Sequence, residues 1–192
     1  VLNAISDEYK NFDDEWREIG APQGKTGSNE NAFFERQRDG KRERVICKFY
    51  SMPRQAVNEH FFCTLYRELG IPAPETGIGH VKGRIAFISK LIEGAKVEPR
   101  DSEGLKMKNK GTLADMLFSN WDIPKHDNLL YVGNTPYRVD NGGAGYFRAR
   151  GKIKGENGSD AFDEKVVELK TMLNSYPGIT EDEMKEQMTV ML

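Results

Sequence analysis

Residues 119–143, SNWDIPKHDNLLYVGNTPYRVDNGG, decide how this chain is read. Two polar clusters, Asn120-Trp121-Asp122 with Asp127-Asn128, and Asp140-Asn141-Gly142-Gly143, flank two short apolar runs. Residues 129–132 and 137–139 read as strands, and Gly133-Asn134-Thr135-Pro136 between them carries turn chemistry. A hairpin folded there brings the two acidic ends together, which makes a place to hold a divalent cation. An ordinary surface hairpin with polar flanks fits the same residues equally well, so the rest of the chain has to decide.

Working outward, the bulk properties narrow the choice. A chain of 192 residues is long enough for one substantial core or two small lobes around a cleft. Hydrophobic residues at 38% and charged residues at 30% describe a globular protein, and no apolar run reaches membrane-spanning length. The 28 basic and 30 acidic residues leave a net charge of −2, which implies neither nucleic acid nor an anionic membrane as a partner. Cys47 and Cys63 sit in apolar contexts without metal-type spacing and read as reduced core thiols of a cytoplasmic protein. No secretory signal is read, and since Val1 is not an initiator residue the chain is expected to be a processed or excised domain.

Upstream, Ser6 is placed to cap a helix from Asp7, with Ile5, Tyr9, Phe12, Trp16 and Ile19 forming one apolar stripe. Gly20-Ala21-Pro22 stops it and leads into a polar, glycine-bearing loop at residues 23–31. Residues 32–36 and 44–50 read as strands joined through Asp39-Gly40, a strong hairpin signal. Lys48 lies in the middle of the apolar run of the second strand, where its ammonium must either snorkel to water or meet an anion. The glycine loop before it favours the anion, because a loop over phosphates and a lysine reaching them form one device. Pro53 opens a helix with Val57, Phe61, Leu65 and Leu69 on one stripe and Glu59, Phe62 and Tyr66 on the next. Glu59 therefore borders the buried face, where it can pair with Lys48. Gly70-Ile71-Pro72-Ala73-Pro74 ends the helix in an extended connection. Residues 76–80 and 84–91 form a second antiparallel pair, which emerges at Lys90-Leu91-Ile92-Glu93-Gly94 as a crossing between lobes with main-chain groups to offer a base.

Residues 95–111 are charged and aperiodic, and read as a linker. Thr112 with Asp115 is expected to cap a short helix through Met116, Leu117 and Phe118. After the opening stretch, residues 146–154 are basic with interleaved aromatics and read as a solvated surface loop. Phe162, Val166, Leu169 and Leu173 mark an amphipathic helix. Thr180-Glu181-Asp182-Glu183 is a capping box for a last helix, whose Met184, Met188 and Met191 read as core filler.

In order, the chain carries a glycine loop, a strand lysine, a helix glutamate, a strand leading to a crossover, a polar loop, a hairpin and an Asp-Asn-Gly signature. Over residues 24–143 this order resembles that of protein kinases and their atypical relatives. The run from Val45 to Lys48 is similar to the kinase V-A-I-K strand, Asp140-Asn141-Gly142 to D-F-G, and Asn128 precedes Asp140 at close to the family's separation. The chain most resembles compact bacterial and phage-associated kinase-like domains, some of which are effectors delivered into host cells. The resemblance implies an α+β, two-lobed fold: an N-lobe with an antiparallel sheet over residues 1–94 and a reduced helical C-lobe over residues 95–192.

It also implies phosphoryl transfer from ATP with Mg²⁺ to a serine or threonine of a protein, a host protein if the chain is an effector, by a monomer that is cytoplasmic or delivered to a host cytosol. Lys48 would hold the phosphates with Glu59 orienting it. Asn128 and Asp140 would bind magnesium, and Asp122, or alternatively Asp127, would orient or deprotonate the acceptor hydroxyl. Gly24, Gly27, Ser28 and Asn29 would cover the phosphates, and Lys90 and Ile92 would face adenine through their main chains. A small-molecule phosphotransferase, an adenylyl-transferring enzyme and a non-catalytic pseudokinase share the same fold.

Overall fold

Alternation of buried and exposed positions in residues 30–49 produces the central hairpin. In the computed structural model, which describes residues 5–20, 30–123, 127–148, 152–155, 176 and 178–191, β2 (Glu30–Arg38) and β3 (Lys41–Phe49) pair antiparallel in unbroken register. Asp39 and Gly40 both have positive φ, 51° and 73°, the type I′ geometry that matches strand twist. The pair extends into a five-stranded sheet of order β1-β2-β3-β5-β4, with β1 at Arg17–Ile19, β4 at Thr76–Val81 and β5 at Arg84–Lys90.

One face of β3, through Val45, Cys47 and Phe49, packs on Tyr9, Phe12, Trp16 and Phe34. Phe12 stacks on Trp16 at 5.4 Å and meets Phe34 edge-on at 5.0 Å, contacts worth about 0.5–1.5 kcal/mol each beyond burial. The other face receives α2 (Pro53–Glu68), where Ala56 and Cys63 pack with Tyr50, Ile78 and Phe87. Lys48 and Tyr50, the latter one residue past the end of β3, share this α2-facing side. Both Cys47 and Cys63 are buried free thiols, and burial pushes Cys63 up to about 12.

The expected N-terminal helix is not continuous. Asp7–Tyr9 is a 3-10 turn, Phe12–Glu15 (α1) a single α-turn, and residues 17–19 are β1. Backbone pairing at opposite edges of the sheet overrides the helical stripe: Ser6 N–H donates to the Ile78 carbonyl on β4 (2.9 Å), while Arg17–Ile19 pairs with β2. Ser6 Oγ accepts from Ile78 N–H (3.0 Å) instead of capping.

Residues 95–111 are structured where a linker was expected. Lys96 bridges Tyr131, Asp101 caps α3 (Ser102–Met107) by accepting from Glu103 N–H (3.0 Å), and Lys108–Gly111 forms a 3-10 turn. Charged surface residues here cover short helices whose periods are too brief to register. α4 (Thr112–Leu117) lacks the expected side-chain cap, since the Asp115 carboxylate serves a buried cluster described below. The hairpin β6 (Leu129–Val132) and β7 (Thr135–Arg138) turns at Gly133-Asn134, with Pro136 inside β7. α5 (Glu181–Met191) carries the expected capping box, with Thr180 N–H donating to Glu183 Oε2 (2.8 Å) and Glu183 N–H to Thr180 Oγ1 (3.2 Å). Met188 is half exposed rather than core filler. The helix expected around Phe162 to Leu173 lies outside the described residues. The described residues form an α+β fold, a five-stranded antiparallel sheet followed by short helices and the β6–β7 hairpin. Among the described residues no helix is long and apolar enough to cross a membrane.

Candidate functional site

Strand β3, helix α2 and the loop after β7 converge on one ammonium. Lys48 Nζ donates to Glu59 Oε1 at 2.8 Å and to Asp140 Oδ1 at 2.7 Å. Glu59 is fully buried, so it stands within the packed face of α2 and not at its border. The face actually buried is Gln55, Ala56, Glu59, Cys63 and Tyr66, whereas Phe61 from the expected stripe is half exposed. Burial works against charge on Lys48, but the Asp140 and Glu59 carboxylates more than offset it and raise its pKa well above the usual lysine value. Burial raises Glu59 above the usual carboxylate range, partly countered by Lys48. Tyr50 OH donates to the second oxygen, Glu59 Oε2.

The hairpin sets the other acidic residue. Leu129 pairs with Arg138, and Val139 N–H donates to the Asn128 carbonyl at 3.0 Å, so Asn128 stands beside the strand end that leads into Asp140. Asp140 adopts left-handed backbone angles (φ 58°, ψ 50°), uncommon for a non-glycine residue though tolerated by Asp, and its side chain is 48% exposed. It is the one half-open carboxylate of the trio. Asn128 Nδ2 donates to the Asp122 carbonyl at 2.8 Å, which leaves Oδ1 as the polar end of that side chain for a ligand. Asp122 is buried and Asp127 exposed.

A carboxylate and an amide oxygen suit Mg²⁺, which takes oxygen ligands and keeps several waters and substrate phosphates. Among the described residues there is no cluster of three or more acidic, His or Cys ligands, so the remaining ligands of such an ion would come from water and phosphate. The residues present fit magnesium on those terms.

Other expected positions fall differently. Gly24, Gly27, Ser28 and Asn29 lie outside the described residues. Lys90 N–H is committed to the Glu75 carbonyl at 2.9 Å, so it is not a donor to a base, because the chain is still in β5 there. Ile92 lies just past β5, and its carbonyl accepts from Ala95 N–H at 3.3 Å.

Two features escaped the sequence reading. Lys154, expected on a solvated loop, is buried, and its ammonium donates to the carbonyls of Ser119 (2.6 Å) and Gly143 (3.0 Å), 5.3 Å from the centre of the Trp121 ring. It joins the two ends of the opening stretch, and a lysine with aromatic neighbours is the only hint the sequence offers. Asn141 is also buried, donating to the Arg138 carbonyl (3.1 Å) and Cys63 Sγ (3.2 Å) and accepting from Asn120 Nδ2 (2.8 Å).

No protein-family model matches the chain, and no curated protein matches it. Among solved structures it is similar to the proinflammatory kinase CtkA of Helicobacter pylori, at 15% identity over 90% of both chains with a TM-score of 0.48. That likeness adds nothing to what the side chains show.

Proposed function

We propose that this chain is a compact ATP-dependent kinase that transfers the γ-phosphate to a serine or threonine hydroxyl of a protein, acting as a monomer. The observation that carries the reading is Lys48, held at 2.8 Å from Glu59 and 2.7 Å from Asp140. An ammonium fixed by a buried carboxylate and leaning on a half-exposed one is arranged to exchange the second partner for phosphate oxygens. Phosphoryl transfer depends on positioning and charge neutralisation more than on covalent chemistry, and this trio supplies both.

In this reading Glu59 orients Lys48, Lys48 binds the phosphates, and the loop between β1 and β2, with Gly24, Gly27, Ser28 and Asn29, covers them. Asp140 and Asn128 hold magnesium, which would neutralise charge on the transferred group. Asp122 orients the acceptor hydroxyl, with its main chain tethered to Asn128. Ile92 faces adenine, and the lobes divide near residue 94. By its resemblance to compact effector kinases, the protein works in a cytoplasm, its own or that of a host.

The test is incubation with ATP labelled at the γ or α phosphate, host lysate as acceptor, and wild type against Asp140→Ala. γ label on Ser or Thr of a protein, lost in the variant, supports the reading. α label would mean adenylyl transfer, and nucleotide binding without transfer a pseudokinase. Full γ transfer by Lys48→Ala would sink the phosphate-lysine assignment.

A further inference from the structure

Tyr50 stands one residue past the end of β3, two positions after Lys48, and packs on the same α2 side as Ala56 and Cys63. It belongs to none of the motifs discussed so far. Its hydroxyl donates to Glu59 Oε2 while Lys48 Nζ holds Oε1. The two oxygens of one buried carboxylate are therefore divided between an ammonium and a phenol. Without the phenol, Oε2 would lose a donor at a site closed to water, and an unmet buried carboxylate oxygen is costly. Tyr50 thus shares with Lys48 the task of holding Glu59 in one orientation.

The same hydroxyl also meets the loop that carries Asp140. A Cβ added at Gly142 would come within 2.7 Å of Tyr50 OH and 3.4 Å of Glu59 Oε2. Only a glycine lets the loop lie this close, so the backbone at Gly142 packs directly on the phenol. With the Asn141 side chain turned to Cys63 and Asn120, Tyr50 is the ring that backs the loop at this point. One buried side chain, 6% exposed, therefore touches the α2 glutamate and the Asp140 loop at once.

We propose that Tyr50 is a positioning residue that latches these parts together: the orientation of Glu59, and through it Lys48, is set jointly with the packing of Gly142, and through it the place of Asp140. The proposal rests on the kinase reading of Lys48 and Asp140 and deepens it. The phosphate lysine and the metal aspartate then move as a unit, so loss of the latch weakens the gain in nucleotide affinity that magnesium provides more than it weakens metal-free binding.

The experiment is a double-mutant cycle with Tyr50→Phe, Gly142→Ala and the pair. It reads ATP affinity calorimetrically with Mg²⁺ and with EDTA, KM and kcat for transfer, and the denaturant midpoint. Tyr50→Phe is expected to weaken Mg·ATP binding about tenfold, as loss of a hydrogen bond to a charged group does, with a smaller change in EDTA and a rise in KM larger than the fall in kcat. Gly142→Ala is expected to lose at least as much, and Tyr50→Phe to recover part of that loss because the clashing oxygen is gone. Wild-type Mg·ATP affinity in Tyr50→Phe, or strict additivity of the pair, overturns the latch. Should Tyr50→Phe fail to fold, folded Gly142→Ala decides from the other side: weakened Mg·ATP binding supports the latch and unchanged binding overturns it. A wild-type chain that binds no nucleotide overturns the kinase reading and the latch with it, whereas a binding wild type with a silent Tyr50→Phe overturns the latch alone.

Discussion

The molecule contains two charge clusters of similar composition and opposite character. In the first, Asp115 takes Arg138 Nε at 2.7 Å and Nη2 at 2.9 Å, and accepts from Tyr66 OH (2.8 Å) and Tyr176 OH (2.7 Å). Both ions are sealed, at 1% and 0% side-chain exposure. Burial opposes the charge of Arg138, but Asp115 more than offsets it and its pKa is raised. In the second, Lys48 is shared between a sealed carboxylate and one that is 48% exposed. In the first cluster both carboxylate oxygens of Asp115 are met by donors. The second is completed on one side and open on the other. Satisfied burial marks a brace, while a buried charge with a half-open partner marks a place where a ligand can be exchanged for a side chain.

The largest way to break this contrast is Asp115→Ala. It leaves the Arg138 guanidinium buried without a counterion and two tyrosine hydroxyls without their acceptor, and is expected to cost about 3–5 kcal/mol of stability, measured by denaturant midpoint. Asp115→Leu with Arg138→Met should recover most of that loss. A cost below about 1 kcal/mol for the single variant, the scale of a surface pair, would remove the distinction between brace and site.

Lys154→Met comes next. Its ammonium serves two carbonyls, those of Ser119 and Gly143, and losing a charged donor there is expected to cost about 2 kcal/mol. The loss should show locally as faster amide exchange at Gly145, whose N–H donates to the Phe118 carbonyl at 2.6 Å. Unchanged exchange there would mean that the two ends of the opening stretch are held by something else.

What the sequence disclosed and what it hid follow the same division. Local chemistry was legible: Asp39-Gly40 as a two-residue turn, Pro53 as the first residue of α2, Thr180 with Glu183 as a cap. Lys48 could be singled out as a charge inside an apolar run, Glu59 as a carboxylate bordering an apolar stripe and Asp140 as an acidic end of the hairpin, and the three do meet. Asp115 could not, since its partners lie 23, 49 and 61 residues away, and beside Thr112 it looked like an ordinary cap. The helical stripe at residues 5–19 misled for a related reason: periodicity reports local preference, and sheet pairing at both ends of the segment outweighed it. The buried face of α2 was misjudged because Gln55 and Glu59 are buried by the site that they build, while Phe61 is left outside.

Acidity sharpens the comparison further. Glu59 has a raised pKa in the folded chain, so folded protein takes up this proton before unfolded chain does. The sign follows from linkage: this group's contribution to stability is greatest below the ordinary glutamate pKa and is lost as pH rises through the folded value. Wild type should therefore gain stability relative to Glu59→Gln as pH falls from the raised folded value toward the ordinary glutamate pKa, a difference that cancels the titration of other carboxylates. A flat difference across that range would mean that Glu59 is not the strained member of the open cluster.

The smallest effect comes from a pair that belongs to neither cluster. Lys90 Nζ holds Glu75 Oε2 at 2.6 Å on the outer surface, where the two side chains are 32% and 57% exposed. The hydrogen bond from Lys90 holds Glu75 below the usual carboxylate range, so its contribution is present at neutral pH and is lost as pH falls through that lowered value. Glu75→Gln should cost under about 1 kcal/mol, and that cost should fade as salt is raised toward 1 M, where the screening length shrinks to about 3 Å. Asp115→Ala should cost the same at either salt concentration, because its cluster is closed to ions. If salt erased both costs alike, the Asp115 cluster would not be sealed, and exposure would no longer separate the brace from the open site at Lys48.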